Sequence, residues 1–154
     1  MSIFPTRILL ATDGSREAQL AASTAADLAN TTNSELHVIS VAPGNPDPVY
    51  HIHEGGLRYE TYQQALEAVR EDAQKVLDEQ VQRLEEAGGS VKEAHLRLGE
   101  RRDQAIVHLA EELGAGLIVM GSRGLGGVRR ALMGSVSAST CSWNSATDHG
   151  CCCT

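Results

Sequence analysis

The sequence predicts one α/β domain built on an open, mainly parallel sheet. Three observations carry that expectation. Four short strand-like runs recur along the chain, each closed by turn-forming or polar residues. Between them lie longer stretches in which apolar residues return every three or four positions. The resulting alternation, strand and helix in turn, is the order that right-handed crossovers produce in a parallel sheet. A length of 154 residues suits one domain, or one domain with a tail.

Each element has its own signal. Ile8-Leu9-Leu10-Ala11 is a continuous apolar run ended by Asp13-Gly14, as expected of a strand buried on both faces. Ala18, Ala21, Ala22, Ala25, Leu28 and Ala29 follow at helical spacing. Their small side chains would let a helix lie close to the sheet, with Ser15 as its N-cap. Leu36-His37-Val38-Ile39-Ser40-Val41 reads as the second strand, rich in β-branched residues. Pro43, Gly44, Pro46, Pro48, Gly55 and Gly56 then mark a loop. From Tyr62, the stripe Ala65, Leu66, Val69, Ala73, Val76, Leu77, Val81, Leu84 and Ala87 predicts a second helix, stopped by Gly88-Gly89. Val91 to Leu98 alternates loosely as a third strand. Ala105, Ile106, Leu109, Ala110 and Leu113 mark a third helix, and Leu117-Ile118-Val119-Met120 a fourth strand.

Composition excludes several classes. The chain is 42% hydrophobic and 21% charged, too apolar for intrinsic disorder. Thirteen Lys and Arg stand against 20 Asp and Glu, a net charge of -7, which argues against a general nucleic-acid binder. No apolar run approaches the roughly 20 residues of a membrane span. Met1 to Arg7 shows no basic segment leading into an apolar one, so no secretory signal is expected and the expected compartment is the cytoplasm. All four cysteines, Cys141 and Cys151 to Cys153, fall in the last fourteen residues, so the core must hold without a disulfide framework.

An open α/β sheet binds ligands beyond the carboxyl ends of its strands, where the strand order reverses. Two strand-end loops stand out. Residues 121–134 hold five glycines directly after the fourth strand. A backbone without Cβ atoms can approach a ligand closely and present its N–H groups as an anion-binding nest. Gly134-Ser135 then opens what should be another helix, whose N-terminus also favours phosphate. The loop is neither a Walker A sequence nor a dinucleotide fingerprint after the first strand, and a plain surface loop is the bland alternative. The second loop carries Asp13, a strand-end carboxylate suited to hydroxyls or a divalent ion. Taken alone, it reads more readily as a turn or helix-cap residue; the glycine loop beside it favours the ligand role.

With Gly121-x2-Gly124-x9-Gly134-Ser135 in hand, the sequence resembles the ATP-binding universal stress proteins. Ile8-Leu9-Leu10-Ala11-Thr12-Asp13-Gly14-Ser15, Leu36-His37-Val38-Ile39 and Leu117-Ile118-Val119-Met120-Gly121-Ser122-Arg123-Gly124 extend the likeness, which covers roughly residues 5 to 137. The resemblance implies a Rossmann-like sheet with helices on both faces and strand order 3-2-1-4-5. It places ATP at the switch between strands 1 and 4. Carried over by position, Ala11, Thr12 and Asp13 would lie at the adenosine end, with Asp13 near the ribose or a metal such as magnesium. Val38 would line the adenine pocket, and Met120, Gly121, Arg123 and Gly124 would flank ribose and phosphates. Gly134, Ser135, Val136 and Ser137 would hold the phosphates. The role implied is a nucleotide-dependent sensor or regulator of the stress response. A slow ATPase and a ligand-free interaction module are the alternatives. No obvious general base lies in the matched segments, so at most weak hydrolysis is expected.

Residues 1–137 therefore read as the nucleotide-binding domain and 138–154 as an atypical tail. Relatives continue with a helix and an apolar fifth strand that pairs across a two-fold axis in a homodimer. Here the tail is rich in Ser, Thr and Cys and has neither an apolar run of four nor a helical stripe. The sequence predicts that the fifth strand is missing, with a short helix at most and then disorder, which puts the family's homodimer in doubt. His149-Gly150-Cys151-Cys152-Cys153 could touch a soft metal, but adjacent cysteines point apart, and an oxidation-prone thiol cluster is the better reading. His51 and His53 read as solvated loop histidines.

Overall fold

The structure is a computed structural model that describes residues 7–44, 59–121 and 150–153. Eight elements follow in order: β1 (Arg7–Thr12), α1 (Arg16–Thr32), β2 (Glu35–Ala42), α2 (Tyr59–Glu86), β3 (Val91–Leu98), α3 (Arg102–Leu113), β4 (Leu117–Met120) and β5 (Gly150–Cys153). The sheet has the order β3-β2-β1-β4-β5, with every neighbouring pair parallel. This is the Rossmann-like arrangement expected from the sequence, with α1 and α2 on one face and α3 on the other.

The continuous apolar run of β1 follows from its central position. Ile8 and Leu10 join Leu36, Val38 and Val119 beneath Ala21, Ala25 and Ala29 of α1 and Leu77 and Leu84 of α2. Leu9 faces the other way, with Ile39, Ile118 and Met120, against Ala105, Ile106, Leu109 and Ala110 of α3. A strand in that position must be apolar at successive residues rather than alternate ones. Among the described residues β3 stands at the edge and pairs on one side only, which accounts for its looser pattern.

Capping fixes where the helices begin and end. Ser15 Oγ accepts the N–H of Ala18 at 3.1 Å, and Asn33 closes α1 in the left-handed region with φ 54°. α2 starts at Tyr59 rather than Tyr62 and ends at Glu86; the N–H of Gly89 then donates to the Leu84 carbonyl at 2.9 Å.

The largest departure from expectation is β5. Gly150 to Cys153 pair in register with Leu117 to Met120, so a fifth strand is present and the outer side of β4 is covered. Pairing uses backbone N–H and C=O groups that every residue except proline supplies, and an uncovered strand edge is an open row of such groups. Apolar side chains, whose absence led to the expectation of a missing strand, are not required for that bonding. The rest of the tail, with Cys141, lies outside the described residues, as do His51 and His53. No helix among the described residues is long and apolar enough to cross a membrane.

Candidate functional site

The carboxyl ends of β1 and β4 meet at the start of α1. Ala11 is in register with Met120, and each strand ends within one residue of that pair. β1 then turns sharply. The N–H of Ser15 donates to Asp13 Oδ1 at 3.0 Å, and the N–H of Gly14 donates to Thr12 Oγ1 at 3.4 Å. Gly14 adopts φ 77°, a region open to glycine at no steric cost. The turn delivers the chain into α1, whose first-turn amides and dipole favour a negative group nearby.

Gly121 holds the other side of this crevice. A Cβ there would stand 2.9 Å from the carbonyl carbon of Glu17, 3.0 Å from Glu17 Cβ and 3.1 Å from the Ala18 nitrogen. The backbone after β4 therefore lies directly against the first turn of α1, at a separation that excludes any side chain. Glycine, the smallest residue, thus lets two segments far apart in sequence meet at a point where size is limiting.

Of the residues expected at the site, Ala11, Thr12, Asp13, Met120 and Gly121 thus come together. Thr12 is buried and Asp13 half-buried, while Met120 belongs to the core on the α3 side. Val38 stands apart from them. It is 1% exposed within the core on the α1–α2 side and in register with Leu10, two positions before the Thr12–Ser40 pair that ends the ladder. Arg123, Gly124, Gly134, Ser135, Val136 and Ser137 lie outside the described residues.

A second polar cluster sits away from the strand ends, and the sequence reading passed over it. His37 of β2 and His95 of β3 stack with ring centroids 5.9 Å apart, and Glu93 lies beside them. Burial, reinforced by the nearby His95, lowers the His37 pKa below the ordinary histidine value. Glu35 lies 3.8 Å from His37 Nε2 and is itself held by Arg7 at 3.1 Å. The hydrogen bond from Arg7 keeps the Glu35 carboxyl below its usual pKa. One signal was available in sequence: a histidine inside the apolar run Leu36 to Val41 is expensive to bury without a partner.

The sequence matches the universal stress protein family over residues 5–141. The chain belongs to that family. A universal stress protein relative from Staphylococcus haemolyticus is 30% identical over 130 residues, covering 84% of this chain and 74% of its own. Among solved structures, universal stress protein UspA from Lactobacillus plantarum aligns with a TM-score of 0.71 at 17% identity, over 96% of both chains. The universal stress protein from Archaeoglobus fulgidus in complex with dAMP aligns with a TM-score of 0.62 at 22% identity, over 98% of both chains. These two structures share the universal stress protein fold with this chain.

Proposed function

We propose that this universal stress protein binds ATP in the crevice between β1 and β4 and serves as a nucleotide-dependent sensor or regulator in the stress response. The observation that carries the reading is the close approach of Gly121 to Glu17 and Ala18, which sets the first residue of the glycine motif beside the Asp13 turn. That place is the switch point of the sheet, where ligands of open α/β folds bind. The Archaeoglobus neighbour with dAMP supports an adenine nucleotide as the ligand class.

In this reading Ala11, Thr12 and Asp13 serve the adenosine end, and Met120, Gly121, Arg123 and Gly124 flank ribose and phosphates; Val38, enclosed in the core, is not part of the proposed site. Gly134, Ser135, Val136 and Ser137 hold the phosphates through backbone amides and hydroxyls. Asp13 suits a ribose hydroxyl or a magnesium ion. A carboxylate offers about four acceptor positions, so the bond from Ser15 is compatible with either role. Magnesium there would neutralise phosphate charge that a carboxylate alone would repel.

Calorimetric titration with ATP and magnesium tests the reading on the full chain and on Gly124→Val. Binding tighter than millimolar, weakened by the valine, is the expected result. No binding tighter than millimolar, with no change in the variant, would refute it.

A further inference from the structure

The cluster on β2 and β3 depends on an irregular register. Leu36 is opposite Val91, yet His37 is opposite Glu93 and Ile39 opposite His95, so β3 carries one extra residue between the first two pairs. With uniform pairing His95 would stand opposite Ser40, on the other face of the sheet, because strand side chains alternate. The bulge brings His37, Glu93 and His95 to one face, the side on which Ile39 packs toward α3.

Three ring nitrogens of this group are left without hydrogen-bond partners among the described residues. The His37 side chain is 6% exposed. Neither of its ring nitrogens has a hydrogen-bond partner among the described residues, and the same is true of His95 Nε2. The carboxylates near them, at 3.8 Å for Glu35 and 3.7 Å for Glu93, are too distant for hydrogen bonds. Buried nitrogens left in this state are destabilising. One ligand atom from each of His37, Glu93 and His95 lies within 4.8 Å of the others.

We propose that His37, Glu93 and His95 form a binding site for a divalent transition metal of the zinc type. Two imidazoles and a carboxylate suit such an ion and leave a fourth tetrahedral position for water, whereas magnesium and calcium prefer oxygen ligands throughout. With metal–ligand bonds of about 2.0–2.1 Å, tetrahedral ligand atoms stand about 3.4 Å apart. Closing to that spacing needs adjustment of the imidazole rings as well as of Glu93, whose side chain is 62% exposed. Glu35 is not counted as a ligand, since Arg7 and Lys92 already engage it. The cysteines of β5 belong to the opposite edge of the sheet, with β1 and β4 between them and β2.

Zinc titration, with cobalt as a visible probe, tests the site on the full chain carrying Cys141→Ser, Cys151→Ser, Cys152→Ser and Cys153→Ser, which removes thiol binding. The expected result is one equivalent bound at micromolar affinity or tighter, with the imidazole NMR signals of His37 and His95 shifting on zinc addition. His95→Gln and Glu93→Gln, both on the edge strand, should each weaken binding about tenfold or more, with circular dichroism unchanged. Absence of stoichiometric binding, binding that neither variant alters, or imidazole signals that stay in place would each overturn the proposal.

Discussion

Where β1 and β4 end, the chain turns on backbone groups and small residues; where β2 meets β3, it packs ionisable side chains against one another. The first region takes its shape from Gly14 and Gly121 and from the Thr12-to-Ser15 turn. The second takes its shape from a bulge that decides which side chains share a face. In the proposed function the backbone-built crevice takes phosphate and sugar through amides and hydroxyls. At the β2–β3 edge, by contrast, histidine nitrogens without hydrogen-bond partners among the described residues stand beside an exposed carboxylate, the arrangement proposed above to hold a metal ion. One sheet thus carries two regions of different chemistry, at its strand ends and at its edge.

The difference in burial between centre and edge gives the largest expected effect. Leu9 is fully buried between β1 and α3, so Leu9→Ala should lower the unfolding free energy by about 2–5 kcal/mol. Val91 is only partly buried at the start of β3, and Val91→Ala should remove no more than about 1.5 kcal/mol. Urea unfolding of the two variants checks this, and equal losses would break the distinction.

A smaller effect sharpens the account of the crevice. Gly121→Val places side-chain atoms against Glu17 and Ala18 and should destabilise by about 1–3 kcal/mol. Glu93→Gln, at an exposed edge position, should stay within about 0.5 kcal/mol of the parent. If the valine variant unfolds like the parent in urea, β4 and α1 do not meet as described.

The smallest effect concerns acid. Arg7 lowers the Glu35 pKa from its ordinary value of 4.5, so its folded value lies below that of the unfolded chain. The associated stabilisation is fully present above pH 4.5 and is lost as pH falls through the folded value. Glu35→Gln lacks this component, and its melting temperature should fall less than the parent's between about pH 5 and pH 3. Both partners are near half-exposed, so the difference should be slight.

How legible these regions were in sequence follows from the same contrast. β1, α1 and the Asp13 turn could be read directly, because apolar runs, alanine spacing and a Ser N-cap are local signals. The nearness of Gly121 to Asp13 followed only with the strand order, and then because a strand-end glycine has a meaning in an open parallel sheet. The β2–β3 cluster was not legible. His37 and His95 are 58 positions apart, and a one-residue shift in register decides whether they share a face. β5 was missed for a related reason. Gly150 to Cys153 lack the apolar pattern of a strand, yet strand pairing draws on the backbone.

Amide NMR during ATP and magnesium titration tests the central claim most directly. The account predicts progressive shifts at Ala11 to Ser15 and at Met120 and Gly121, with His37, Glu93 and His95 largely unmoved. Shifts confined to the β2–β3 edge, or none at the strand ends at millimolar ATP, would contradict it.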